Sequence, residues 1–104
     1  MELKETEIIE KIQNYQWYHT IELTPSIRTP GNDVYLNIQE VPLQVLRMLE
    51  LEDGRVLDIG CRDGRFCFEA EKLGAKEVIG IDNDLSKGAV EFLIPYFESK
   101  VKMY

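Results

Sequence analysis

Two aspartates and two glycines carry the clearest chemistry in this chain. Asp58 stands two residues before Gly60, Gly64 follows Gly60 by four, and Asp82 lies 22 residues beyond Gly60. Residues 55–66 (Arg-Val-Leu-Asp-Ile-Gly-Cys-Arg-Asp-Gly-Arg-Phe) read as an apolar strand running into a glycine loop and a helix. Residues 77–82 (Glu-Val-Ile-Gly-Ile-Asp) read as a second apolar strand that ends on an acid. That order is how an α/β protein builds a nucleotide-binding corner.

The loop is not of the dinucleotide type. In a G-x-G-x-x-G loop aligned on Gly60, Arg62 and Arg65 would occupy the second and third glycine positions, where backbone must approach a pyrophosphate. Asp58 would repel a pyrophosphate, but it can hold the ammonium group of a methionine moiety, directly or through water. The Asp82 carboxylate can accept both hydroxyls of a ribose. The plainer reading is a strand–helix turn whose glycines serve only tight packing. A degraded nicotinamide-type oxidoreductase corner is the weakest alternative, because it leaves Asp58 and Arg62 unexplained.

The elements around these residues predict an α/β fold. Residues 2–16 have the period of an amphipathic helix, with Ile8, Ile12 and Tyr15 in one stripe. Residues 17–23 turn aromatic and β-branched, as an extended segment would. Thr24-Pro25-Ser26 and residues 29–33 (Thr-Pro-Gly-Asn-Asp) carry turn chemistry, which predicts irregular chain into the mid-thirties. A second helix is expected from about Pro42 through Leu46 and Leu49, ending at residues 52–54. Residues 56–59 then form a buried parallel strand, apolar on both faces. Phe66, Ala70 and Leu73 stripe the next helix, and Gly74 stops it. Residues 78–81 form the second strand. Asp84 is placed to cap a helix starting near Ser86, which Pro95 disrupts or ends. Residues 100–104 alternate as the opening of a third strand.

Composition narrows the function classes. At 104 residues, 44% hydrophobic and 30% charged, the chain has the make-up of one small globular domain, read as residues 1–50 leading into residues 51–104. No apolar run reaches membrane-spanning length, and a cytoplasmic setting is expected. Cys61 and Cys67 lack a second pair or a histidine at metal spacing, so they read as small buried thiols and no metal site is expected. The net charge of −7 falls mostly on residues 1–54, which hold four basic and ten acidic side chains. No basic stretch offers a phosphate-binding surface. The single histidine, His19, sits beside Trp17 and Tyr18 and reads as a packed structural group.

Residues 56–84 resemble the first motif and second-strand acid of class I S-adenosylmethionine-dependent methyltransferases. The lead-in Trp-Tyr-His-Thr-Ile-Glu-Leu at 17–23, then Ile-Arg-Thr-Pro-Gly at 27–31, is similar to that of the tRNA wobble-uridine methyltransferase-like group, which makes 5-methoxyuridine or 5-carboxymethoxyuridine. The Asp-Ile-Gly-x-x-Asp-Gly-x-Phe loop at 58–66 resembles the same group. The resemblance implies a partial Rossmann-like sheet of about three parallel strands after a helical and extended lead-in. It implies S-adenosylmethionine, or a carboxylated derivative, as cofactor. Asp58, Gly60, Cys61 and Gly64 would frame its methionine end, Asp82 its ribose and Asn83 its adenine; no catalytic residue is assigned. The acceptor would be tRNA or a small molecule. The resemblance covers only the front of such an enzyme, so an N-terminal portion, inactive alone, is expected. A non-enzymatic remnant that pairs with a protein partner through an exposed edge of the sheet is the alternative.

Overall fold

A computed structural model describes residues 2–104, apart from the side chains at positions 33 and 35–37. The chain opens with helix α1 (Glu5–Ile12), which buries Ile8 and Ile12 one turn apart. It is shorter than its periodicity suggests, because residues 13–15 turn away and leave Tyr15 beyond the helix. A small antiparallel hairpin follows, β1 (Glu22–Thr24) and β2 (Ile27–Arg28). The Thr24 hydroxyl closes its turn by accepting the N–H groups of Ser26 and Ile27. Residues 17–21 are irregular rather than stranded.

Helix α2 (Asp33–Met48) starts nine residues earlier than expected. The Asn32 side chain caps it by accepting the Val34 N–H at 3.0 Å, so the turn chemistry of residues 29–33 is a helix start. Pro42 therefore lies inside the helix rather than in its first turn. The inward face of α2 carries Gln39 and Leu43. Its richer apolar stripe, Val34, Ile38, Val41, Val45 and Met48, faces outward.

Three parallel strands form the central sheet in the order β3 (Arg55–Ile59), β4 (Glu77–Ile81), β5 (Lys102–Met103). The register sets Leu57 beside Ile79 and Ile59 beside Ile81. Helix α3 (Arg65–Lys72) joins β3 to β4 and buries Cys67, Phe68 and Ala70, a stripe rotated from the one read in the sequence. Gly74, in the left-handed region at φ +94°, ends it. After β4 the Ser86 hydroxyl, not Asp84, accepts the Ala89 N–H. A π-helical turn (Ala89–Leu93) then passes into a short helix, α4 (Ile94–Phe97). Pro95 has no N–H and presses on the carbonyl four residues back, and the widened turn accommodates both effects.

One face of the sheet packs on α3, the lead-in segment and residues 89–93 in a shared core. The other face is open at β3 among the described residues, while Ile79 of β4 on the same face is partly covered. Leu57 and Ile59 are 58% and 75% exposed, so β3 is not buried on both sides among the described residues. Long-range ties fasten the lead-in to the end of the chain: the Tyr96 hydroxyl donates to the Leu23 carbonyl at 3.0 Å, and the Trp17 ring lies on Gly88.

Candidate functional site

Parallel pairing brings the carboxyl ends of β3 and β4 side by side, and the glycine loop leaves from that edge. The N–H groups of Gly60 and Cys61 both donate to the Ile81 carbonyl, at 2.7 and 3.0 Å, which folds the loop back over β4. Gly60 has φ +80°, and a side chain there would meet nothing within 4 Å, so its surface is open to a ligand. Gly64 has φ +83° and begins α3 against Met103 of β5, where an added Cβ would stand 2.2 Å from the methionine methyl. Between the two glycines, Arg62 adopts φ +48°, a left-handed conformation that disfavours a side chain.

Asp58 is half-buried beneath the loop. Burial pushes its carboxyl pKa up, the Cys67 thiol at 3.4 Å works against that shift, and the Asp82 charge adds to it. Asp82 is anchored at the end of β4. It accepts the N–H of Asp84 on one oxygen and that of Arg62 on the other, each at 2.8 Å, and these bonds hold its pKa below the usual carboxylate range. Asn83 sits exposed in the next turn. Asp58, Gly60, Cys61 and Asp82 thus meet at one sheet edge, with Asn83 adjoining and Gly64 set back at the helix start. Cys61 is 1% exposed, and its sulfur packs with that of Cys67 against Gly80, so it can offer a ligand only main-chain atoms.

Sequence reasoning gave Asp63 no role, yet it is one of the most buried polar residues. It is 2% exposed, and one of its oxygens accepts the N–H groups of Tyr18 and His19 at 2.6 and 2.5 Å. Arg62 lies over the Tyr18 ring at 5.1 Å and pairs with Asp84 at 3.0 Å. Residues 14–18, Arg62, Asp63 and residues 84–88 line a cleft of about 510 Å³ beside the loop. His19 is buried between the rings of Tyr18 and Phe66, with its Nδ1 unpartnered among the described residues. Burial lowers its pKa to about 4, so it is neutral at pH 7. Among the described residues, no three metal-ligating side chains gather, and no helix is long and apolar enough to cross a membrane.

An open glycine loop flanked by carboxylates on adjacent parallel strands suits a ligand with an ammonium group and a ribose. These acceptors therefore fit S-adenosylmethionine, and the fold agrees. Over 97% of this chain and 50% of the other, it superposes with a TM-score of 0.52 and 28% identity on a candidate RNA methyltransferase from Pyrococcus horikoshii. Sheet and loop together are those of the class I S-adenosylmethionine-dependent methyltransferases. Residues 39–92, just over half of the chain, match the family described as ribosomal protein L11 methyltransferase (PrmA), and the chain belongs to that family.

Curated relatives match over a third to a half of this chain. A ribosomal protein L11 methyltransferase from Colwellia psychrerythraea is 56% identical over 36 residues, which are 35% of this chain and 12% of that protein. A tRNA U34 carboxymethyltransferase from Helicobacter pylori is 37% identical over 54 residues, 51% of this chain and 21% of that protein. The matched stretches are thus between about an eighth and a fifth of these relatives' length.

Proposed function

We propose that this chain supplies the cofactor-binding corner of a methyltransferase and that its acceptor is a tRNA wobble uridine. The observation that carries the first part is the pair Asp58 and Asp82 near the carboxyl ends of neighbouring parallel strands, close enough for the Asp82 charge to act on Asp58, beside the open Gly60. In this reading Asp82 holds the ribose hydroxyls and Asp58 the ammonium group, directly or through water. Gly60, Gly64 and the Cys61 main chain frame the methionine end, and Asn83 borders the adenine. S-adenosylmethionine, or a carboxylated derivative, supplies a carbon electrophile on a sulfonium. The protein's part is to hold that carbon in line with the acceptor, so that proximity lowers the barrier.

The likeness to the tRNA U34 carboxymethyltransferase supports the acceptor, since it takes in half of this chain. The family match favours a second acceptor, a ribosomal protein. The bare face at Leu57 and Ile59 also suits a protein partner, and two buried, unpaired thiols suit the reducing cytoplasm.

Calorimetric titration of the chain with S-adenosylhomocysteine, and separately with NADH, tests the cofactor. Binding of the first and none of the second is expected; tighter binding of NADH would overturn the reading. Methyl transfer assayed with undermodified tRNA and with ribosomal protein L11, using the longest native product that contains this chain, decides the acceptor.

A further inference from the structure

We infer that Asp63 is a positioning residue which thermodynamically couples residues 18 and 19 of the lead-in to the Asp82 carboxylate of the cofactor site. The inference rests on the cofactor reading above, and it begins from one hydrogen-bonded path. The backbone N–H groups of Tyr18 and His19 donate to Asp63, 45 and 44 residues away. Its neighbour Arg62 donates its own N–H to Asp82. Asp63 and Arg62 therefore bridge the lead-in segment on one side and the ribose-holding carboxylate on the other.

The chemistry explains why this bridge is stiff. Asp63 is nearly inaccessible, and a buried carboxylate is tolerated only when donors satisfy it. It stands just before Gly64 at the start of α3, where the helix dipole favours negative charge. Arg62 cannot relax by itself. Its left-handed φ of +48° is held by the Asp82 bond, by its stacking on Tyr18 and by its ion pair with Asp84. Freeing residues 18 and 19 from Asp63 removes the Tyr18 platform, which loosens Arg62 and then the Asp82 carboxylate. The same path runs in reverse: a ligand that fixes Asp82 tightens the hold on residues 18 and 19.

Hydrogen exchange and calorimetry on the 104-residue chain test this with Asp63→Asn and Asp63→Ala. Without ligand, Asp63→Ala should speed exchange at the amides of Tyr18, His19, Arg62 and Gly64 together, by about tenfold or more. Asp63→Asn, which keeps an acceptor oxygen, should restore much of the protection. Unchanged exchange at Arg62 and Gly64 in a folded Asp63→Ala protein would overturn the inference, whatever the ligand does. In the wild type, S-adenosylhomocysteine should slow exchange at Tyr18 and His19. Its affinity should fall about tenfold in Asp63→Ala under conditions where thermal melts show the variant folded. A variant that melts lower but binds as tightly as wild type would reduce Asp63 to a structural role. Failure of the wild type to bind would instead count against the cofactor reading, leaving the unliganded exchange to judge the bridge.

Discussion

The Asp82 carboxylate accepts the backbone N–H of Arg62 at 2.8 Å, so the acid at the end of one strand holds the loop that leaves its neighbour. The residue we propose to hold the ribose is also a loop anchor, and the two roles can be separated by substitution. Asp82→Asn keeps an oxygen for one N–H donor but loses the charge, whereas Asp82→Ala loses both.

Affinity for S-adenosylhomocysteine should therefore fall in two steps. Charged hydrogen bonds contribute roughly 1.5–3 kcal/mol, so Asp82→Ala should weaken binding by about one to two orders of magnitude. Asp82→Asn should lie between it and the wild type. Calorimetry checks the order, and equal affinity of all three proteins would remove Asp82 from the site.

Gly80 should tolerate no side chain. A Cβ there would stand 2.8 Å from the Cys61 sulfur and 2.9 Å from that of Cys67, both buried. Gly80→Ala should cost roughly 1–3 kcal/mol through overpacking, read from urea unfolding. Replacing both cysteines by alanine in that background should restore part of the loss.

Acid should weaken the fold through His19. Its pKa is lowered to about 4 by burial, with the Arg65 and Arg62 charges adding to the shift and Asp63 opposing it. Above its ordinary pKa of about 6.5 the imidazole is neutral in both folded and unfolded chains, and stability is complete. As pH falls from there toward 4, the unfolded chain takes up a proton that the folded one refuses. The loss approaches about 3 kcal/mol by pH 4. His19→Phe should be less sensitive to pH over that window, and parallel slopes for the two proteins would contradict the assignment.

The thiols should be inert while the chain is folded. Burial and the nearby Asp58 charge raise both, Cys61 to about 11 and Cys67 further. At pH 8 only about a thousandth of Cys61 is thiolate, too little for ready attack on a disulfide reagent. Ellman's reagent should label neither cysteine in buffer and both in urea; fast labelling in buffer would show an open loop.

The strands and their loop were legible because their signals are local: apolar runs, positive-φ glycines and a terminal acid all lie within a few residues of one another. Helix α2 was half hidden, since Asn32 and Asp33 carry the same polar chemistry in a turn as at a helix cap, and Pro42 looked like a beginning. The α3 stripe shifted because Cys67 and Phe68 face the sheet and core where Phe66 and Leu73 had seemed the better candidates. Asp63 was legible as a position of the Asp-Ile-Gly-x-x-Asp-Gly-x-Phe loop, but its bridge was not. Its donors are main-chain groups 44 and 45 residues away, and any residue but proline at positions 18 and 19 could supply them.

The docking of Trp17 on Gly88 and the bond from Tyr96 to Leu23 set a timetable for synthesis. On the ribosome, residues 8–17 emerge long before the segment that shelters them. Ile8, Ile12 and Trp17 must wait through some seventy further additions, several seconds at ordinary elongation rates of about 5–20 residues per second. During that interval the lead-in is a nascent amphipathic segment whose apolar side lacks its binding surface, and that is when a chaperone has most to offer it.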